Sequence, residues 1–172
     1  MAQEQEKPRH ESIMNPKGMA ALARTASNAR PLAHEIFTLV NNAKDKPLKI
    51  EVLRKHDSQG LRQLCKAAFD PSITFDIPEG TPPFIQNDAP EGTDHTSLLD
   101  EARKLYLFIK GASDIGKVKK ETLFIQMLEA LHKDDAQVLI NIKDKKLNLT
   151  YKGLTENCVK EAFNWNEQFI RN

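Results

Sequence analysis

From Pro31 to Phe163, apolar residues recur at three- and four-residue spacings in short runs. Each run is closed by a capping residue, a glycine or an Asp-Pro step. That spacing puts the apolar side chains of each run on one face of a helix, and the frequent stops keep every helix short. Such a chain folds by packing many short amphipathic helices together. "PLAHEIFTLVNNA" presents Leu32, Ile36, Leu39 and Val40, with Pro31 suited to the first turn. "DKPLKIEVLRKHD" has Asp45 as a cap and Leu48, Val52 and Leu53 as its stripe. Ser58 caps "QGLRQLCKAAF", which turns Leu61, Leu64, Cys65, Ala68 and Phe69 inward before Asp70-Pro71 ends it. Thr96 or Ser97 caps "LLDEARKLYLFIKG", with Leu98, Leu99, Ala102, Leu105, Tyr106 and Ile109 on one face and Gly111 as its end.

"KVKKETLFIQMLEALH" is the most apolar run. Leu123, Phe124, Met127, Leu128 and Leu131 form a broad arc with Val118 and Ile125 beside it, so it is expected at the centre. Asp134 or Asp135 starts "AQVLINIKDKK", which buries Val138, Leu139 and Ile142. Thr155 caps "ENCVKEAF", with Val159, Ala162 and Phe163 inside and Trp165 and Phe169 folding back. The expected fold is all-α, a compact bundle of about seven short helices.

Two segments depart from this pattern. Residues 1–30 are polar and mixed in charge, with too few apolar positions for a core helix, and read as a flexible N-terminal arm. Residues 31–172 then form a single helical domain, the size a chain of 172 residues supports. Between about 70 and 95 runs a long Pro-rich loop holding Pro71, Pro78, Pro82, Pro83 and Pro90. Its Ile73, Phe75 and Ile77 alternate like a short extended piece, and Phe84 and Ile85 are expected to pin it down.

Composition narrows the function classes. The net charge is +1, so nothing pulls the whole chain toward nucleic acid or membrane, and charge-driven binding needs a local patch. No apolar run approaches the ~18 residues that span a bilayer. The N-terminus does not read as a signal peptide, which points to a cytoplasm. Cys65 and Cys158 sit on apolar helix faces and are expected as reduced, buried residues. No G-x-G-x-x-G, Walker motif, nucleophile elbow or Cys/His pairing is present, which argues against an enzyme and against a cofactor. His34, His56, His95 and His132 fall on different elements, and none pairs with another ligand type at a metal-site spacing, so no metal is expected.

The basic residues carry the functional reading. Lys143, Lys145, Lys146 and Lys152 bracket the turn in "KDKKLNLTYKGLTENCVKEAF". Gly153 allows close backbone approach, Thr155 offers a hydroxyl, and the amides after it open a helix N-terminus. Arg62 and Lys66 lie four apart on one helix face. Lysines beside a helix N-terminus can cradle a DNA phosphate. The alternative for each cluster is a solvated face.

Residues of about 44–163, including "LRQLCKAAFDPSITFDIPEGTPPF", "ETLFIQMLEALHKDDAQVLINIKDKKL" and "YKGLTENCVKEAF", resemble an uncharacterised protein family of T-even-like myoviruses, notably cyanophages. More distantly, the order of elements is similar to the all-helical N-terminal DNA-binding domain of ATP-dependent DNA ligases. "NNAKDKPLKIEVLRKHDSQGLRQLCKAAFDPSITFDI" resembles its opening helices and "KDDAQVLINIKDKKL" with "GLTENCVKEAF" its closing pair. That resemblance implies a grip on duplex DNA without sequence reading, and in phages a meeting with the sliding clamp. No K-x-D-G is present, so the adenylated lysine of ligases is missing. The expected function is a non-catalytic phage accessory protein. It would bind duplex DNA through phosphates or dock on a DNA-bound phage complex in replication, repair or transcription. The alternative is an interaction or virion protein using its arm and Pro-rich loop.

Overall fold

The computed structural model describes residues 31–90 and 95–171. The expected arm, residues 1–30, lies outside them. Among the described residues the chain is all-helical and has no strand. It has eight α-helices and one 3-10 helix: α1 Ala33–Asn42, α2 Lys46–Lys55, α3 Gln59–Phe69, α4 Leu98–Glu101, the 3-10 helix Ala102–Phe108, α5 Lys117–Ala130, α6 Lys133–Lys143, α7 Leu147–Thr150 and α8 Glu156–Phe163.

Three of the helix starts follow the capping chemistry of the sequence. Asp45 accepts from the Leu48 amide at 3.1 Å, Ser58 from Leu61 at 3.1 Å, and Thr155 from Cys158 at 3.2 Å. The start of α6 differs from expectation. Its cap is His132, whose Nδ1 accepts from the Asp134 amide at 3.1 Å, and Asp134 and Asp135 occupy the first turn.

The centre of the bundle is α6, which touches α1, α3, α4, α5 and α7. It buries Ala136, Val138, Leu139, Ile140 and Ile142. The expectation that α5 lies there is corrected. Phe124, Met127 and Leu128 of α5 are buried, but Leu123 only partly, and Val118 stands 77% exposed. Its apolar arc is narrower than it reads, and one face looks outward. The α1 stripe is rotated as well: His34, Ile36, Phe37 and Val40 are inside, while Leu39 is exposed. Gly60 of α3 is required by a close approach, because a Cβ there would lie 2.1 Å from the Leu99 carbonyl oxygen of α4.

"LLDEARKLYLFIKG" does not form one α-helix. It tightens to 3-10 geometry after Glu101, and Tyr106 points outward. The end of this segment is held by the Pro-rich loop. Lys110 N donates to Thr74 O at 2.8 Å and Asp76 N to Phe108 O at 2.7 Å, around an antiparallel bridge between Phe75 and Ile109. This is the short extended piece expected from the alternation at 73–77. Farther along the loop Phe84 packs on the core, but Ile85 is 80% exposed and is held only by its backbone, which donates to Glu129 Oε2 at 2.8 Å. At the C-terminal end Asn164 adopts the left-handed conformation, and Trp165 and buried Phe169 stack back over Phe163. Both cysteines are free and buried.

Candidate functional site

The basic turn lies between the ends of α3 and α1, and the structure divides its lysines into two kinds. Lys143 turns inward. Its ammonium donates to Pro78 O at 2.9 Å and Gly80 O at 3.0 Å and pairs with the Asp144 carboxylate, with its side chain 1% exposed. Lys145 stands at φ 59° and reaches back to the end of α3. There its ammonium donates to the Ala67 and Asp70 carbonyl oxygens, which the helix itself cannot satisfy. Loss of hydration lowers the Lys145 pKa below its ordinary value, and the Asp70 carboxylate only partly offsets this. These two lysines, expected to face phosphate, brace the turn, Lys143 from inside the fold and Lys145 from an exposed side chain whose ammonium is taken up by backbone carbonyls. A long side chain with an ammonium tip finds orphan carbonyls as readily as it finds solvent.

Lys146 and Lys152 are of the other kind. Both are exposed, and Lys146 makes one loose ion pair to Glu79 at 3.6 Å. Gly153 is needed for an internal contact. Its amide donates to Asn41 Oδ1 at 2.8 Å, and a Cβ would meet the Lys49 ammonium at 2.6 Å. Lys49 in turn caps the end of α1 through the carbonyls of Val40, Asn41 and Ala43. Thr155 caps α8 as expected. Glu156 in the first turn is neutralised by Lys160 at 2.7 Å, and Glu156 and Asn157 are exposed. Arg62 is ion-paired with Asp57 at 2.8 Å, and Lys66 is half-buried in the last turn of α3.

A second cluster was not anticipated. The histidines expected to stay apart come together where α1 and α6 begin. The rings of His34 and His132 stack with centroids 4.8 Å apart, and His95 meets His132 edge-on at 5.3 Å. Asp135, fully buried, accepts from both the backbone amide of His34 at 2.9 Å and its Nδ1 at 2.7 Å. Burial alone would lower the His34 pKa. The Asp135 hydrogen bond and charge, with help from Asp134 and Glu35, raise it above its ordinary value. Asp134 Oδ2 lies 3.8 Å from His34 Nε2 and 3.9 Å from His132 Nδ1. The local signals were His34 three residues before Phe37, on the same inward face, and the His132-x-Asp134-Asp135 step at a helix start. The spacing search failed because the donors come from segments about 60 and 100 residues apart, beyond any linear motif.

The chain is therefore a small all-helical domain with a braced basic turn on one part of its surface and a buried histidine–aspartate cluster elsewhere. Among the described residues no helix is long and apolar enough to cross a membrane. The chain belongs to a family described as a family of unknown function (DUF6433), whose profile matches residues 36–149. No curated protein and no solved structure matches it.

Proposed function

We propose that this chain is a non-catalytic phage accessory protein that holds the backbone of duplex DNA, alone or docked on a DNA-bound phage complex such as one containing a sliding clamp. The observation that carries this reading is the division of labour in the basic turn. Lys143 and Lys145 fix the turn to the Pro-rich loop and to α3. Lys146 and Lys152 are then exposed from a braced backbone, in the same stretch as the exposed N-terminal residues of α8. A rigid turn loses little conformational freedom on meeting a phosphate. First-turn amides and lysines together suit an anion. The resemblance of the sequence's element order to ligase DNA-binding domains motivates the choice of this surface.

The test is a fluorescence-anisotropy titration of a labelled mixed-sequence duplex at low salt. Wild type should bind, and Lys146→Ala/Lys152→Ala should bind several-fold more weakly with an unchanged fold. Equal binding by the two would end this reading. One observation favours a second reading, a protein-binding module. Ile85 stands 80% exposed on the Pro-rich loop while Phe84 beside it packs on the core. Nuclease-resistant recovery of a partner from infected cells, lost in Ile85→Asp, would support it.

A further inference from the structure

We propose that His34, His132 and Asp134 form a binding site for one divalent transition-metal ion of the zinc class, which staples the start of α1 to the start of α6. The three side chains offer ligand atoms within 4.8 Å of one another. Ligands at Zn–N and Zn–O distances of about 2.0–2.2 Å on a tetrahedron sit roughly 3.3–3.5 Å apart. Asp134 Oδ2 is already 3.8 Å from His34 Nε2 and 3.9 Å from His132 Nδ1, within about half an ångström of those two edges, and the third edge closes when the two stacked imidazoles turn so that both lone pairs face one point.

Two further observations point to a ligand. First, His34 Nδ1 lies against the buried carboxylate of Asp135 at 2.7 Å. A proton held there leaves the Nε2 lone pair facing Asp134, the carboxylate–histidine arrangement that orients metal-bound imidazoles. Second, both ring nitrogens of His95, beside His132, are buried without a hydrogen-bond partner, as is Asp135 Oδ2. Buried polar atoms are seldom left so. His95 lies beside the three donors and is not one of them, so water would complete the coordination. Imidazole and carboxylate donors without thiolate suit zinc and its neighbours rather than soft ions. Binding would take the His132 Nδ1 lone pair that now accepts the Asp134 amide.

The experiment uses untagged full-length protein. Zinc affinity is measured by competition with a chromophoric chelator, and Co2+ substitution reports ligand geometry by visible absorption. Wild type should bind one ion per chain, show the intense bands of a four-coordinate Co2+ site, and gain melting temperature with metal. His132→Asn, which keeps a capping side chain, and Asp134→Asn should each weaken binding at least about tenfold. Asp135→Asn should weaken it by about 10–100-fold, as an orienting partner. Absence of the four-coordinate Co2+ bands in wild type overturns the proposal without recourse to variants. Full affinity retained in both His132→Asn and Asp134→Asn overturns it as well.

Discussion

Replacing Lys143 with Met separates bracing from binding. Met keeps much of the side-chain volume and removes only the charge and its hydrogen bonds. The ammonium now serves Pro78 O, Gly80 O and the Asp144 carboxylate. Once it is gone, Asp144, whose side chain is 8% exposed, keeps only the Gly80 amide at 3.2–3.3 Å. Breaking a buried ion pair by removing one partner costs about 3–5 kcal/mol. Asp144→Asn is milder, about 1–2 kcal/mol, because the amide oxygen still accepts from the ammonium. In the double variant the two losses should not add, with a coupling of about 1–3 kcal/mol. Urea unfolding followed by circular dichroism measures all three. Duplex affinity of folded Lys143→Met should fall less than that of Lys146→Ala/Lys152→Ala, because the lost brace costs preorganisation and no phosphate contact. A stability loss below about 1 kcal/mol, together with weakened duplex binding, would place the ammonium in solution and refute the argument.

Leu128, fully buried on α5, should cost about 2–5 kcal/mol when cut to Ala, read as a shift in the urea midpoint. Thr155→Ala should cost about 1 kcal/mol through the lost cap, with a smaller effect on duplex binding than the loss of Lys146 and Lys152. The hydrogen bond from Lys120 at 3.0 Å, then its charge, holds the Asp76 pKa below its ordinary value. A depressed folded pKa contributes stability above the unfolded value of about 3.9, and that contribution is lost as pH falls through the folded value. The melting-temperature gap between wild type and Lys120→Met should therefore be wider near neutral pH than well below the carboxylate range. A gap independent of pH would mean that the pair is not formed.

Helix existence was legible because its causes are local. Asp45, Ser58 and Thr155 cap the helices they precede, and the stripes of α3, α6 and α8 are inside as their spacing predicts. What was not legible depends on distant groups. The 3-10 tightening of Ala102–Phe108 accompanies the bridge that Phe75 makes to Ile109. Nothing near Lys143 or Lys145 in the chain says that Pro78 or Ala67 will present a carbonyl to it. Asp134 and Asp135 mark the neighbourhood of a helix start, but the cap is His132, and their partner His34 is a hundred residues away.

The central claim is that open lysines on a braced turn hold DNA by its phosphates. The most direct test is the salt dependence of wild-type binding to a mixed-sequence duplex, taken from about 50 to 200 mM salt. Each phosphate contact adds about 0.9 to the log–log slope. Contacts from Lys146 and Lys152 predict a slope near −1.8, the same on unrelated sequences, falling to about zero in Lys146→Ala/Lys152→Ala. No measurable binding at the lowest salt, or a slope that the double substitution leaves unchanged, would contradict it.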